Sequence, residues 1–263
     1  MIIGDPMSKY LRIIGIISLL CFSFYFTNEV AIFVKKQDPI YQNIESVMSY
    51  YKQEPIDAVI KGDFIIPGLN GVSIDLTKSY QNMKYIGHYE SSSLIFTEEV
   101  PNISIENNKD KIISMANPKK NGVAILLNNN NLVTYFEELG IPYVFLANKN
   151  NYQKELKYGI KVIDDYENHD LIYSYLKKNK QDNSYCFIHN ENSCKRKDKI
   201  KLNISLYISK SNFAENYSKI ARGSFVYLDS SLDISYVKIL LDKLAFQGIK
   251  PQKLDLLVSE SPS

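Results

Sequence analysis

The stretch Gly122-Val-Ala-Ile-Leu-Leu-Asn-Asn-Asn-Asn131 decides how the chain is read. A short apolar run without charge stops abruptly in four amides. A strand buried on both faces of an α/β sheet has this composition when its carboxyl end opens into a polar loop. In open α/β sheets and in barrels, chemistry sits at those carboxyl ends. An active site is therefore expected to begin at Asn128. Asparagine is a poor metal ligand, base or nucleophile, so what this loop lacks is itself informative.

Downstream of it, strands and helices alternate. Tyr143 to Leu146, Ile160 to Ile163, Ser184 to Ile188, Leu202 to Ile208 and Ser224 to Leu228 read as strands. Leu132 to Leu139, Asn151 to Leu156, Asp170 to Lys177, Phe213 to Ala221 and Ser235 to Gln247 read as helices. The last is the strongest, with Val237, Leu240, Leu241 and Leu244 on one face and Gly248 past its end. This alternation implies a mostly parallel sheet or a barrel. Lys253 to Leu257 closes the fold.

Upstream, Asp57 to Ile60, Phe64 to Ile66, Val72 to Leu76 and Leu94 to Phe96 read as short strands around the turn cluster Pro67 to Gly71. Asp38-Pro39 starts a helix whose stripe is Ile40, Ile44, Val47 and Met48, and Pro55 ends it. The expected organisation is a signal anchor or signal peptide at 1–27, a stalk helix at 28–54, a lead-in α/β segment at 55–115 and the main α/β domain at 116–263.

The apolar run from Tyr10 to Phe26 is about 17 residues long, the lower limit for a spanning helix. Lys9 and Arg12 lie at its start and Glu29 behind it, which places the body outside the membrane. No small-residue cleavage site follows, so an uncleaved anchor is preferred to a cleaved signal. Net charge is +2, from 31 basic and 29 acidic residues, and no basic stripe interleaved with aromatics appears. Nucleic acid is not expected as a partner. An exported body permits disulfides, and Cys186 with Cys194 is the preferred pair; two free thiols, or a zinc site with His189, are the alternatives.

Gly223-Ser-Phe-Val-Tyr-Leu228, the long helix after it, Gly248-Ile-Lys and Lys253-Leu-Asp-Leu-Leu-Val-Ser-Glu260 together resemble the carboxyl end of NodB-homology polysaccharide deacetylases. Gly122-Val-Ala-Ile-Leu-Leu resembles that family's first strand and Gly140-Ile-Pro-Tyr-Val-Phe-Leu its second. Gly62-Asp-Phe-Ile-Ile-Pro-Gly and Ser79-Tyr-Gln-Asn-Met-Lys look like the lead-in of a membrane-attached bacterial branch, which Tyr185, Cys186 and Cys194 fit too. The resemblance runs from Asp57 to Glu260. It implies a distorted (β/α) barrel holding one divalent metal on an aspartate and two histidines. It also implies a second aspartate as base and a late histidine as acid.

The residues depart from that pattern wherever chemistry is required. Asn128 and Asn129 stand where the acidic pair belongs. A neutral amide cannot take a proton from metal-bound water or offset a dication. Where two histidines belong there are Asp164, Asp165 and the single His169. Asp229 stands where the late histidine belongs. The barrel is also incomplete, with about 145 residues after Asn117 against roughly 250 in a full one. The expectation is a deacetylase-like envelope protein without catalytic residues or cofactor, inserted in the membrane by its N-terminal helix and binding cell-wall glycan or acting as an envelope partner. An active metal-dependent deacetylase with displaced ligands and a scaffold without glycan affinity are the alternatives.

Asp165 and His169, four apart, are the weak metal candidates; the histidines are otherwise read as exposed loop residues. Lys119-Lys120 and Lys195-Arg196-Lys197 read as solvated basic runs.

Overall fold

The computed structural model describes residues 6–165, 167–181, 184–188, 194 and 199–262. His189 and the run 195–197 lie outside them. In chain order the elements begin with α1 (Pro6–Lys36), α2 (Pro39–Tyr51), β1 (Val59–Lys61), β2 (Phe64–Ile66), β3 (Gly71–Ile74), α3 (Leu76–Ile86) and β4 (Phe96–Glu99). There follow β5 (Ile112–Ile113), β6 (Gly122–Leu127), α4 (Asn130–Leu139), β7 (Tyr143–Ala147), β8 (Gly159–Ile163), α5 (His169–Lys178) and β9 (Tyr185–Ile188). The remainder is β10 (Ile200–Asn203), β11 (Leu206–Ile208), α6 (Phe213–Asn216), β12 (Phe225–Leu228), α7 (Ile234–Phe246), β13 (Lys250–Pro251) and α8 (Leu254–Val258). The chain forms two compact units, Met1–Gln53 with Val72–Thr97, and Glu54–Gly71 with Glu98–Ser263. The span 55–115 is shared between them.

In the first unit, Ile13–Lys36 of α1 has mean hydropathy 1.7 and is long and apolar enough to cross a membrane. Asp38 caps α2 by accepting the Ile40 N–H at 2.9 Å, with Pro39 in the first turn. Ile40 and Ile44 pack with Ile74, Met83 and Leu94 into a small core. The Asp38 carboxylate also takes the Lys84 ammonium at 2.6 Å and the Tyr80 hydroxyl at 3.0 Å, bonds that hold it below the usual carboxylate range.

The second unit carries two sheets. One has the order β1-β2-β5-β10-β9; the other runs β11-β12-β6-β7-β8, with β13 beside β6. Among the described residues the ladders of these two sheets are parallel except β1 with β2. Traced in chain order, β6, β7 and β8 lead to β9 and β10, and β11 and β12 return to β6. β8 and β9 touch without a ladder among the described residues. The wall is therefore a distorted, incompletely closed barrel of parallel strands.

The expected single strand Leu202 to Ile208 is two strands. Between β10 and β11 the chain leaves one sheet for the other at Ile204 and Ser205. Ser205 covers the break. Its N–H donates to Phe225 O at 3.0 Å, and its hydroxyl accepts from Phe225 N at 3.1 Å and donates to Ser114 O at 2.8 Å. The expected helix at 151–156 does not form. There the Asn148 and Asn151 side chains accept from Asn150 N and Asn148 N, so local side-chain bonds replace the helical ones.

Strand periodicity divides the core. Val123, Ile125, Leu127, Tyr143, Phe145, Val226 and Leu228 face α4 and α7, through Val133, Phe136, Leu240 and Leu244. Ala124, Leu126, Val144, Leu146, Val162, Phe225 and Tyr227 face inward, with Phe187, Leu202 and Leu257. The two-residue period thus gives each strand an outer, helix-covered face and an inner face.

Candidate functional site

The same period places the site. On β6 the inward residues are Ala124 and Leu126, so the next inward position is Asn128. On β8, Val162 is inward, which carries Asp164. On β12, Phe225 and Tyr227 are inward, which carries Asp229. On β11, Leu206 and Ile208 pack on the outer face, so Tyr207 points in. Ladder register sets Ile208 level with Leu228 and Leu228 level with Leu127. Asn128, Asp164, Tyr207, Tyr227 and Asp229 therefore surround the mouth at the carboxyl ends of the strands.

Contacts tie these residues together. The Tyr207 hydroxyl donates to Asp229 Oδ2 at 2.5 Å. The Tyr207 and Tyr227 ring centroids lie 4.9 Å apart. Tyr227 is hydrogen-bonded by the Asn128 amide, while its partial burial and the charges of Asp229 and Asp164 push its phenol pKa up. The bond to Asp229 pushes the Tyr207 phenol up to about 12, and the same bond, with Ser231, holds the Asp229 carboxyl below its ordinary range. Asn128 Oδ1 is buried and has no hydrogen-bond partner. Tyr207 is 48% exposed and Tyr227 8%, so one ring is presented to solvent above the other.

The neighbouring positions point away and do different work. Asn129 caps α4, its Oδ1 accepting from Asn131 N at 2.8 Å and its Nδ2 donating to Ser230 O at 3.2 Å. Asp165 accepts from Lys149 N at 3.1 Å and from both N–H groups of Asn168. Its carboxyl is held low by those bonds against the effect of desolvation. His169, expected in an exposed loop, is buried in the first turn of α5. Its ring stacks with Tyr173 at 6.0 Å and its Nδ1 lies 3.2 Å from Asp170. Asp165 and His169 thus have separate structural partners and do not share a helix face.

The divalent metal that the resemblance implies does not fit this donor set. Asn128 offers a neutral amide, the carboxylate of Asp165 is spent on backbone and amide N–H groups, and His169 is packed under a ring. Among the described residues no three His, Cys, Asp or Glu side chains are grouped to share a metal ion. Cys186 and Cys194 are joined by a disulfide, with Cα atoms 5.9 Å apart. Sequence reading missed Tyr207, Tyr227 and Asp164 as partners of Asn128 and Asp229. Their signal was parity: Asp164 lies two residues beyond the inward Val162, Tyr227 two beyond the inward Phe225, and Tyr207 between the outward Leu206 and Ile208.

A crevice of about 720 Å³ adjoins the mouth between the first turns of α4 and α7. It is lined by Asn129, Asn131, Thr134, Ser230, Ser231 and Ser235 with a few apolar neighbours. Its surface mixes hydroxyls, amides and the Asp233 carboxylate with the apolar side chains of Leu132, Leu232 and Ile234.

No protein-family model matches the chain. An uncharacterized protein of Bacillus subtilis (strain 168), YlxY, is 31% identical over 96 residues, which are 35% of this chain and 29% of that protein. The chain thus matches less than a third of that relative's length. Among solved structures, wild-type BA3943, a CE4 family pseudoenzyme from Bacillus anthracis, superposes with a TM-score of 0.58 at 16% identity, over 86% of this chain and 97% of that one. A BA3943 mutant with restored enzymatic activity superposes with a TM-score of 0.57 at 16% identity, over 86% of this chain and all of that one. The body therefore has the polysaccharide-deacetylase-like fold of a CE4 pseudoenzyme.

Proposed function

We propose that this chain is a membrane-anchored, catalytically inactive protein of deacetylase fold that binds cell-envelope glycan at the carboxyl mouth of its barrel. The observation that carries this reading is the inward set Asn128, Asp164, Tyr207, Tyr227 and Asp229. It keeps a stacking ring, carboxylates and an amide, and it lacks the histidine ligands and paired acids of the chemistry. Rings pack against the apolar face of a sugar, and amides and carboxylates bond its hydroxyls. The crevice beside the mouth, of mixed polar and apolar lining, offers room for a second sugar unit. The helix Ile13–Lys36, with the basic residues in front of its core, fits an uncleaved anchor with the body on the outer side.

The test uses the full chain in detergent. Retention on acetylated cell-wall glycan is expected, with no acetate released. Tyr207→Ala should weaken retention about fivefold or more, since aromatic stacking contacts contribute roughly 1–3 kcal/mol each. Unaltered retention in that variant would remove the mouth as the binding site, and acetate release by the parent chain would show that activity persists.

A second expectation follows from the parity of the strand tips. A BA3943 mutant has restored enzymatic activity, so the fold itself does not forbid repair. Here Asn128→Asp with Asn129→Asp is expected to leave acetate release at background. Only position 128 faces the mouth, position 129 is the cap of α4, and no histidine pair completes the site. Acetate production by the double variant, above a parent control, would refute this account of the missing ligands.

A further inference from the structure

In the first unit the end of α1 and the end of α3 meet at Asp38. Ile13–Lys36 is 24 residues long, so as a helix it measures about 36 Å, against a hydrocarbon core of roughly 30 Å. With Lys9 and Arg12 held at one face of a bilayer, the far end of such a span emerges into the headgroup layer, and that end carries Lys35 and Lys36. Only Gln37 and Asp38 separate α1 from α2. Asp38 N donates to Lys35 O at 3.0 Å, and the Gln42 amide donates back across the junction to Lys36 O at 3.0 Å. Asp38 therefore lies at headgroup depth too.

What Asp38 holds comes to the same depth. Its carboxylate takes Lys84 and Tyr80, both from the second half of α3, and the Tyr80 ring packs on Tyr41 with centroids 5.7 Å apart. Gly87, at φ +92°, ends α3, so Tyr85 and Ile86 form its tip. Tyr85 is 95% exposed and Ile86 38%. A tyrosine suits the bilayer interface, where its ring leaves water and its hydroxyl stays wet. Lysine stems lie along apolar surface there while their ammonium groups meet lipid phosphate.

We propose that the first unit rests the Asp38 end of its α2–α3 pair on an anionic bilayer, with Tyr85 and Ile86 in the interface and Lys35 and Lys36 among the phosphates. This rests on the anchor reading above and adds a second, surface contact that sets the stance of the unit on the membrane.

The chain has no tryptophan, so one introduced at a time reports its own depth. The full chain is reconstituted into phosphatidylcholine vesicles, with and without phosphatidylglycerol, whose lipids carry bromine either near the headgroup or deep in the acyl chain. Three variants are compared: Phe22→Trp within α1, Tyr85→Trp at the tip, and Tyr50→Trp, an 82% exposed position at the other end of α2. Deep bromine is expected to quench at position 22. Shallow bromine should quench at position 85 at least about threefold more than at position 50, because α2, with 13 residues, is about 20 Å long and the interfacial layer only about 5–7 Å deep. Phosphatidylglycerol should raise the quenching at position 85, and Lys35→Gln with Lys36→Gln should cancel at least half of that rise. Quenching at position 22, with position 85 quenched no more than position 50, overturns the proposal and leaves the anchor standing. Absence of quenching at position 22 overturns both. A signal at position 85 that neither phosphatidylglycerol nor the double lysine variant alters shows that lipid charge does not hold the tip, which also overturns the proposal.

Discussion

Gly223→Ala is expected to lower the unfolding free energy of the body by about 4 kcal/mol, at the upper end of what single substitutions do. Two costs combine there. Gly223 has φ +87°, where an L side chain is strained. A Cβ built on it falls 2.3 Å from Ala116 O and 3.0 Å from Ala116 C, both backbone atoms that no side-chain rotation can move aside. The close approach is itself bonded: Ala116 N donates to Gly223 O at 2.8 Å, and Gly223 N donates to Gly122 O at 2.7 Å. Relieving the clash breaks the junction that starts β6 and β12 side by side. Gly248→Ala is the control. It has φ +67° with no atom within 4 Å of its Cβ, so only the backbone strain of about 1–2 kcal/mol is expected. Urea unfolding followed by circular dichroism measures both. Equal midpoints for the two variants would show that the approach of Ala116 is not what constrains the junction.

Lys120→Met is the second large effect, with a loss of about 2–3 kcal/mol expected. The sequence shows Lys119-Lys120 as an ordinary basic pair on a solvated face, and for Lys120 that reading is wrong. Its side chain is 4% exposed, and its ammonium donates to Leu256 O, Ser259 O and Ser259 Oγ. It holds the carbonyls at the end of α8, where a cation is also favoured by the helix dipole. Burial pushes the Lys120 ammonium pKa down, opposed by the charges of Glu260 and Glu98. Methionine keeps the stem's packing and removes the three N–H donors from Leu256 and Ser259, with the Ser259 hydroxyl still donating to Leu256 O at 3.2 Å. The adjacent Glu260 carboxylate accepts from Gly68 N at 2.9 Å and Ile105 N at 3.1 Å, so loosening α8 should spread to the start of the unit. Hydrogen exchange is expected to accelerate at 254–260 and at Gly68 in the variant. Unchanged exchange at those amides, with stability within 0.5 kcal/mol of the parent, would argue that Lys120 contributes only its stem; that limit is about the effect of an ordinary surface substitution.

Much of the fold was legible because it is local. The uncharged run 122–127, the glycines at 140 and 248 and the spacing of Val237, Leu240 and Leu244 each specify one element through burial and turn geometry alone. Gly140 has φ +66° and closes α4, as its position after a periodic segment implied. Where side chains compete with the backbone, the reading failed, as in the asparagine-rich 148–151 turn. It failed again at Ser205, because an apolar run carries no mark of the sheet it joins.

The candidate site divides in the same way. Sequence alone determined that the β6 tip carries amides where acids are needed, that a second histidine is absent near His169, and that Asp229 ends β12. Those are statements about composition at a position, and strand order suffices for them. Only the tertiary structure decided that Asn128 and Asn129 part company, one turned into the mouth and the other capping α4, and that Asp164 and Asp165 divide likewise. Only it set Tyr207 against Asp229 and Tyr227 against Asn128. The reason is physical: two-residue periodicity fixes which side of its own strand a residue takes, and parallel pairing of strands far apart in the chain fixes which residues then face one another.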